Sequence, residues 1–493
     1  MLSKTDYVTF LKHPAWFWLR KNNPDLIPKP NKNTQLIIDE GRLFESQAEA
    51  IFENAIHLDR DDYANINEWA IETKNLIDQQ VGTILQAAFV HGDYLCIADV
   101  ISLTDEGYVL TEIKATTSPD NEHYHDLSFQ KIVIENNDIP ITKCQVLHAN
   151  SEYIRHGEIK IDELTKITDV TDKINKVIVR TSESMKEAVR VMNLDEMPND
   201  SLRYVGLGAA KDWRPIFKKL HPEIKDYSIY DLASNKGRGM DKLIGELEDA
   251  DIELIVDIPE TFKLQQHQKD QVHVTRLDHP IVDKEALSEF LDEVTFPIYF
   301  LDYESINRIL PPFDNTWPYQ QVVFQHSIHI LQEDGSLTHE EYLHDTNTNP
   351  SPNLIESLEG TIGKTGTIIV WNQTFEKSRH SEFAKLYPAK AAFFENLNDR
   401  VIDLEVPFKR RVYQERRFKG RSSIKKVMPV LCPKLSYKTL GIQEGGTASR
   451  SWYEAIIDES RTDKETVLAN LLEYCGLDTY AMVALYNELK KIV

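Results

Sequence analysis

The sequence predicts an α/β protein with two domains and a connector, and three observations support this prediction. The 493-residue chain is too long for one ordinary hydrophobic core. Hydrophobic residues make up 41% of it, which supports globular packing. Its first and last thirds alternate β-prone runs with segments of helical periodicity, whereas its middle is charged and mostly helical by pattern. We expect an N-terminal domain at 1–171, a mostly helical connector at 172–285 and a C-terminal domain at 286–493.

The N-terminal third is predicted to begin with helix and to continue into a strand meander. Apolar spacing between Thr34 and His57 predicts a helix. From Gln86 to Lys114 the chain predicts three strands separated by two glycine-containing turns. A helix around Asp126 to Asn136 and a strand, KCQVLHA, follow. This order argues against a doubly wound nucleotide-binding fold, whose strands and helices alternate regularly.

The C-terminal third is predicted to form a mixed sheet flanked by helices. Its strands are expected in PIYFLDYES, in QVVFQHSIHIL, in LTHEEYLHDT and in GTIIVWN. Helices are expected near Leu354 and from about Lys464 to the end of the sequence.

Composition restricts the classes of protein that the chain can represent. Its four cysteines lie far apart and form no CxxC pair, so the sequence predicts neither a disulfide framework nor a zinc site. No window approaches the roughly 18 apolar residues of a membrane span, and the first residues lack the pattern of a signal peptide. We expect a soluble cytoplasmic protein without a membrane partner.

A basic segment at 408–427 contrasts with the formal net charge of -23. Nine Lys or Arg residues stand there against Glu415 alone, with aromatic residues interleaved. Cations can follow a phosphate backbone while bases stack on aromatic rings, so the segment predicts a nucleic-acid contact through Arg416, Arg417 and Lys419. A solvated basic loop is the alternative, and the segment alone does not decide between the two.

Asp302 and Glu304 stand two residues apart in the apolar run PIYFLDYESI. Alternation along a strand puts both carboxylates on one face. Two adjacent anions on a hydrophobic strand repel each other unless a cation lies between them, so the pair suggests a divalent metal site. A solvated strand edge is the commoner explanation of an isolated pair, so the hypothesis depends on later segments.

Two later segments supply residues that fit the same site. The strand TIIVWN runs into a helix start that carries Asn372 and Glu376, and ligands gather at strand ends. Tyr474 and Asp478 are four residues apart in the terminal helix and share one helical face, although a core tyrosine is the alternative for Tyr474. Together the segments resemble the DEDD superfamily of 3'-to-5' exonucleases, in the variant whose last motif is Tyr-x-x-x-Asp.

This resemblance implies a ribonuclease H-like fold and a two-metal site. Two Mg²⁺ or Mn²⁺ ions would be held by carboxylate oxygens, which hard cations require. Tyr474 would lie beside the attacking water as an orienting group. The implied metal ligands are Asp302, Glu304 and Asp478.

One motif departs from the superfamily pattern. The usual second-motif Asp is replaced by Glu376, whose extra methylene moves the carboxylate outward. Glu376 is still expected to be catalytic, with Asp403 as a substitute or supporting acid. Asn372 is expected to contact the substrate.

A second constellation lies before residue 135. Glu45 is expected on a helix, Asp99 in CIADVISL, and Glu112 and Lys114 on one face of the strand VLTEIKA. The arrangement resembles PD-(D/E)XK nucleases, which implies catalysis by Asp99, Glu112 and Lys114 and one or two Mg²⁺ or Mn²⁺ ions on Glu45, Asp99 and Glu112. An exposed-strand salt bridge is the alternative for Glu112 and Lys114, but Asp99 among apolar neighbours needs a partner.

Gln130 extends this second resemblance. RecB-like members carry Gln-x-x-x-Tyr on the following helix, and here Ile134 stands where the aromatic residue is expected. Gln130 is accordingly expected to take part in substrate binding.

Nearly the whole chain resembles a bacterial family known only as domain of unknown function 2779. The phrases LSKTDYVTFLKHPAWFWL, FLDYESIN and PPFDNTWPYQQVVFQHSIHI carry this resemblance. Its members resemble RecB-like nucleases associated with CRISPR, several of which bind an iron-sulfur cluster through four Cys residues. Here His13 stands where the first Cys is expected, and no Cys occurs around 206–217. We therefore expect no iron-sulfur cluster.

The leading expectation is a metal-dependent nuclease that hydrolyses phosphodiester bonds of DNA at two sites, in repair, mobile-element or phage-defence processing. One alternative is an RNA exonuclease whose N-terminal domain is an inactive clamp. Another is a catalytically dead module that binds nucleic-acid ends.

Overall fold

A computed structural model describes residues 1–233 and 240–493, and the protein is a mixed α/β protein, as predicted. The described residues form two compact units. Unit 1 comprises 1–224, 240–249 and 308–311, and unit 2 comprises 225–233, 250–307 and 312–493. The segment 172–285, expected as a connector, is divided between the two units.

Unit 1 contains helices around a sheet. Its helices are α1 (Lys4–Lys12), α2 (Pro14–Asn22), α3 (Lys32–Ala48), α4 (Ile66–Asp78), α5 (Asn121–Glu135), α6 (Ile161–Leu164), α7 (Thr171–Met192), α8 (Ala210–Leu220) and α9 (Met240–Asp249). Its strands are β1 (Leu2–Ser3), β2 (Ile56–His57), β3 (Thr83–His91), β4 (Tyr94–Thr104), β5 (Gly107–Lys114), β6 (Ile141–Ala149) and β7 (Thr165–Asp169).

The sheet of unit 1 runs in the order β2-β3-β4-β5-β6-β7, and β1 pairs in parallel with β4. Strands β3, β4 and β5 form the predicted antiparallel meander, and β6 lies parallel to β5. Val100 pairs with Thr111, which brings the preceding Asp99 beside Glu112. The sheet register therefore joins two acids that are distant in the sequence.

Unit 2 also contains helices around a mixed sheet. Its helices are α10 (Gln266–Thr275), α11 (Lys284–Asp292), α12 (Ser351–Thr361), α13 (Gln373–Leu386), α14 (Ala391–Asp399), α15 (Val406–Lys409), α16 (Ile424–Leu431), α17 (Gly445–Ile456) and α18 (Lys464–Lys490). Its strands are β8 (Ile281–Val282), β9 (Ile298–Ile306), β10 (Val322–Leu331), β11 (Leu337–Leu343), β12 (Thr367–Val370), β13 (Val401–Asp403) and β14 (Tyr413–Gln414).

The larger sheet of unit 2 has the order β11-β10-β9-β12-β13. Strands β9, β10 and β11 are antiparallel, whereas β12 and β13 run parallel to β9. Alternate residues of β9 face different cores. Tyr299 and Leu301 pack in a cluster with residues of α12, α13 and α14, and Ile298 and Phe300 pack in a cluster with residues of α17 and α18. Asp302 continues the Ile298 and Phe300 row toward α18.

Most predicted elements occur close to their expected positions, but the helix predicted between Thr34 and His57 ends at Ala48, and Ile56–His57 form strand β2. The meander, the helix after it and the last long helix begin within a few residues of where the patterns placed them. The three-residue strand β13 was not predicted, since so short a run carries no periodicity. In the part of the chain that the structure describes, no helix is long and apolar enough to cross a membrane.

Candidate functional sites

Three carboxylates of unit 2 meet on one side of β9. Oxygens of Asp302, Glu304 and Asp478 all lie within 4.8 Å of one another. The first two share a face of β9, and Asp478 comes from α18, which packs across that face. Because α18 is fixed by its buried apolar side chains, the third acid is held against the pair.

The cluster is short of positive charge. Burial and the neighbouring Asp478 raise the pKa of Asp302 well above its ordinary value. Burial and Asp302 do the same to the pKa of Glu304. Burial raises the pKa of Asp478 to about 6, although a hydrogen bond from Tyr437 works against that rise. Among the described residues, none of the three carboxylates forms a salt bridge. The three groups can therefore all be ionised only when a cation binds between them, and without a cation the cluster retains protons.

Two tyrosines and a lysine line this acidic cluster. Tyr437 donates a hydrogen bond to Asp478 Oδ1, and its ring lies 6.0 Å from that of Tyr474. The Lys425 ammonium lies 5.5 Å and 5.4 Å from the centroids of these two rings. Burial and the acids raise the pKa of Tyr474, so its hydroxyl stays protonated. Tyr474 lies beside the acids, and its role next to an attacking water stays a prediction. Lys425 belongs to the basic segment at 408–427, whereas no sequence pattern indicated Tyr437.

Glu376 lies on the first turn of α13 and is 2% exposed. Burial and the nearby Asp302 raise its pKa well above the ordinary value, and its Oε2 atom has no hydrogen-bond partner. The structure thus brings Glu376 near the cluster without making it a member of the set within 4.8 Å.

Asp403 hydrogen-bonds the backbone next to α13, and its suggested role as a substitute or supporting acid stays a prediction. One of its oxygens accepts hydrogen bonds from the backbone N–H groups of Asn372, at 3.0 Å, and Glu405, at 2.9 Å. It therefore fixes the chain at the start of α13, where Asn372 adopts a left-handed φ of 71° and is exposed. The contact of Asn372 with substrate stays a prediction.

The predicted acids and lysine of unit 1 also meet, on neighbouring strands β4 and β5. Lys114 Nζ lies 2.6 Å from Glu112 Oε1 and 3.0 Å from Asp126 Oδ2. Asp99 Oδ2 accepts a hydrogen bond of 2.8 Å from the backbone N–H of Ile113. A residue that no motif indicated joins them, since Lys4 Nζ lies 3.3 Å from Asp99 and 2.8 Å from Glu112.

The two lysines set the charge state of this cluster. Burial opposes ionisation of Glu112, but Lys114 and Lys4 outweigh it and hold the pKa of that carboxyl well below its usual range. Burial and Glu112 raise the pKa of Asp99 to about 7. The positive charge that unit 2 lacks is therefore supplied here by the chain itself.

Gln130 is fully buried and acts through the acids. Its amide nitrogen donates to Glu112 Oε2 at 2.6 Å and to Asp126 Oδ1 at 3.0 Å. Gln130 thus orients the Glu112 carboxylate, and its part in substrate binding stays a prediction. Ile134, where related sequences carry the aromatic residue, is buried in the core of unit 1.

Glu45 lies on α3, as predicted, and both Glu45 and Glu49 accept a hydrogen bond from the side chain of Gln86. The Gln86 amide donates to Glu45 at 3.1 Å and to Glu49 at 2.8 Å. Burial is the largest cause that raises the pKa of Glu45, and Glu112 is among the charges that also raise it. Among the described residues, Glu45 belongs to no group of three close metal-binding atoms.

His13 occupies its position by packing. The ring is fully buried, stacks on Trp213 at 4.1 Å, and accepts a hydrogen bond from the Ala15 backbone N–H through Nδ1. Its other nitrogen lies 3.0 Å from the Ser201 carbonyl oxygen. This imidazole has both nitrogens engaged by the protein.

The basic segment at 408–427 is partly neutralised within unit 2. Arg417 pairs with Glu415, Lys419 pairs with Asp226 and Asp231, and the Arg416 guanidinium lies 5.0 Å from the Tyr227 ring. The interleaved aromatic residues cannot stack on bases because all three are buried in the core, a correction that concerns Phe408, Tyr413 and Phe418.

Comparison with known proteins relates part of the chain to a family. Residues 299–423 match the family model described as "Domain of unknown function (DUF2779)", which confirms the predicted resemblance over those residues. The "Uncharacterized protein UU173" of Ureaplasma parvum serovar 3 is 29% identical over 223 residues, which are 40% of this chain and 31% of that protein. The chain thus matches less than a third of that relative's length.

Proposed function

We propose that this protein is a metal-dependent nuclease that hydrolyses phosphodiester bonds of DNA, with a 3'-to-5' exonuclease site in unit 2 and a RecB-like nuclease site in unit 1. The observation that carries the proposal is the meeting of Asp302, Glu304 and Asp478 within 4.8 Å in a partly buried setting. Three carboxylates without salt-bridge partners are costly to ionise when they lie within 4.8 Å of one another. A bound divalent cation offsets this cost by balancing their negative charge.

The residues of unit 2 fit a hard divalent cation. They offer carboxylate oxygens, which Mg²⁺ and Mn²⁺ prefer. Glu376 adds a buried oxygen without a hydrogen-bond partner near the cluster. A bound cation would polarise a phosphate oxygen and lower the pKa of the attacking water. Asp302, Glu304 and Asp478 would hold it, and Glu376 would complete the acidic surround.

The other side chains of the site would position the nucleophile and the phosphate. Tyr437 holds Asp478 in one orientation through its hydrogen bond. The raised pKa of Tyr474 keeps its hydroxyl as a donor, so it would orient water or a phosphate oxygen rather than remove a proton. Lys425 adds a positive charge beside both rings, where a phosphate would approach.

The architecture supports a ribonuclease H-like assignment of unit 2. Its sheet has the order β11-β10-β9-β12-β13, with antiparallel β9 to β11 and parallel β9, β12 and β13, and the leading acids lie on the central strand. A restriction-endonuclease-like core is the corresponding proposal for unit 1. It rests on the β3-β4-β5 meander with Asp99, Glu112 and Lys114.

A second candidate function follows from the lysines of unit 1. Lys4 and Lys114 both contact Glu112, so the charge of that carboxylate is already neutralised by the protein. In this alternative only the site of unit 2 is catalytic, with RNA as substrate, and unit 1 is a clamp. The catalytically dead end-binding module is a third option, motivated by Glu376 in place of Asp.

The deciding experiment uses the full chain with Mn²⁺ on single-stranded DNA, duplex DNA and RNA. Strands labelled at the 3' or the 5' end distinguish the direction of hydrolysis, and 3'-to-5' activity releases the 3' label first as a mononucleotide. Asp302→Ala is expected to abolish this release, and Lys114→Ala is expected to remove a second activity on at least one substrate.

Each negative result has a distinct meaning. No change in Lys114→Ala on any substrate would leave the clamp alternative. No Mn²⁺-dependent nucleotide release by the parent protein, together with no Mn²⁺-dependent rise in its melting temperature, would leave the dead binding module.

A further inference from the structure

The Lys4 ammonium group in unit 1 contacts two carboxylates that are proposed to bind a metal ion. Its Nζ atom is 3.3 Å from Asp99 Oδ1 and 2.8 Å from Glu112 Oε1. These two carboxylates are among the three expected to bind metal, with Glu45, and a single ammonium group touches both.

The position of Lys4 is fixed by its neighbours in the chain. It is the first residue of α1, and the preceding Ser3 caps that helix in a reciprocal hydrogen-bond arrangement with Asp6. Leu2 is fully buried, and its backbone N–H donates to the Asp93 carbonyl oxygen at 2.6 Å. Strand β1 further pairs Leu2 and Ser3 with β4, the strand that carries Asp99. The ammonium group is thus delivered by an anchored backbone.

Charge at the site is close to balanced without any metal. Glu112, Asp99 and Asp126 face the two ammonium groups of Lys4 and Lys114. A divalent cation placed between Asp99 and Glu112 would lie within a few ångströms of Lys4, and the like charges would repel. The side chain of Lys4 is 22% exposed, so it has a route away from the acids.

We propose that the Lys4 ammonium is a built-in counter-ion of the N-terminal site, which competes with a divalent cation for Asp99 and Glu112. This inference rests on the proposed function, because it takes the two acids as metal ligands. It predicts that the site is held metal-free at low cation concentration and that Lys4 must withdraw when metal binds.

The test measures Mn²⁺ binding to the full chain by calorimetry and by the electron paramagnetic resonance of free Mn²⁺. Asp302→Asn and Asp478→Asn are introduced throughout, so that the site of unit 2 does not contribute. On this background Lys4→Met is expected to tighten Mn²⁺ binding by at least about tenfold, because a like charge a few ångströms away is removed. Lys4→Arg, which keeps the charge, is expected to retain the weak binding.

Two variants make the result specific. Lys12→Met is the matched control, since Lys12 also lies on α1 but pairs with Glu122 at 2.9 Å, and it should leave binding unchanged. Asp99→Asn added to Lys4→Met should remove the gained affinity. Circular dichroism melts establish that each variant is folded.

The possible outcomes distinguish failure of the counter-ion role from failure of the proposed N-terminal metal site. If the background protein binds Mn²⁺ through Asp99 and Lys4→Met leaves that affinity equal or weaker, the counter-ion role is wrong and the N-terminal metal site stands. If no variant binds Mn²⁺ in unit 1, the inference and the N-terminal metal site are both wrong.

Discussion

The two acidic clusters of this protein meet the same electrostatic problem in opposite ways. In unit 1, Glu112 contacts two lysines, and its pKa is held well below the ordinary value. In unit 2, Asp302 and Glu304 have no salt bridge among the described residues, and their pKa values lie well above the ordinary ones. Burial acts on both clusters alike. The difference therefore comes from where the positive charge is supplied.

The comparison indicates how each cluster would respond to an external cation. A metal ion supplies the positive charge that the cluster of unit 2 lacks, so its binding reduces the repulsion among the three carboxylates that folding brings together. The cluster of unit 1 gains little, because the lysines are already in place. Divalent cations should accordingly stabilise unit 2 more than unit 1.

The largest effect is expected when one carboxylate of each cluster is made neutral without metal. Glu112→Gln should lower the free energy of unfolding by about 3 kcal/mol, because Lys4 and Lys114 lose a buried partner. Asp302→Asn should raise it by about 1 kcal/mol, because repulsion among the acids decreases. Denaturant unfolding in the presence of EDTA measures both changes.

The signs of these two changes are the informative result. Glu163→Gln, at a surface carboxylate that pairs with Lys160, is the control and should change stability by less than about 0.5 kcal/mol. Equal destabilisation by Glu112→Gln and Asp302→Asn would mean that the clusters are not electrostatically opposite.

The second prediction concerns the two tyrosines of unit 2. Tyr474→Phe should lower kcat about a hundredfold with little change in Mn²⁺ affinity, because the hydroxyl would orient the nucleophile. Tyr437→Phe should instead weaken Mn²⁺ binding about tenfold, because Asp478 loses the hydrogen bond that orients it. Single-turnover rates at several Mn²⁺ concentrations separate the two effects. Identical kinetic profiles for the two variants would contradict the assignment of separate roles.

Sequence patterns identified the residues that alternate or repeat, and they missed those that arrive by tertiary packing. Asp302 and Glu304 follow strand alternation, and Tyr474 and Asp478 follow helical spacing, so these pairs were predictable. No motif indicated a site role for Tyr437 or Lys4, and only the folded chain brings them to their sites.

The basic segment illustrates the opposite error. Its composition correctly signalled positive charge, but its aromatic residues serve the core of unit 2. Burial of an aromatic ring depends on what packs above it, and a local window of sequence contains no such information. The acids that neutralise Lys419 lie almost two hundred residues earlier in the chain, so their proximity was equally invisible.

The third prediction is a stability change with pH that originates at Asp478. Its pKa is about 6 in the folded protein and near 3.8 in the unfolded chain, so the folded state binds more protons between these values. Stability from this group is present below pH 3.8 and is lost as pH rises through 6, by about 3 kcal/mol in all. Glu112 acts in the opposite direction, since its lowered pKa gives stability that is lost as pH falls below 4.5.

Difference curves isolate the contribution of Asp478. The free energy of unfolding of the parent is compared with that of Asp478→Asn in EDTA between pH 4 and 7. As pH rises, the parent should become less stable relative to the variant. Saturating Mn²⁺ should reverse the slope, because metal binding requires the ionised carboxylate. A difference that is constant with pH would contradict the shift.

The smallest effect is expected from the basic segment. Replacing Arg416, Arg417 and Lys419 with Ser should weaken nucleic-acid binding and reduce the slope of log K against log salt by about 1, rather than by the 3 that three free cations would give. The reason is that Arg417 and Lys419 are already paired with acids, so each releases less counter-ion from a phosphate. Fluorescence anisotropy between 50 and 200 mM salt, with no divalent cation, measures this slope.

A decrease of the slope by the full amount of about 3 would mean that both ion pairs open when nucleic acid binds. An unchanged slope would exclude the segment from the binding surface. The same contrast seen at the acidic clusters applies here, because a charge that the protein has already balanced contributes less to binding than its place in the sequence suggests.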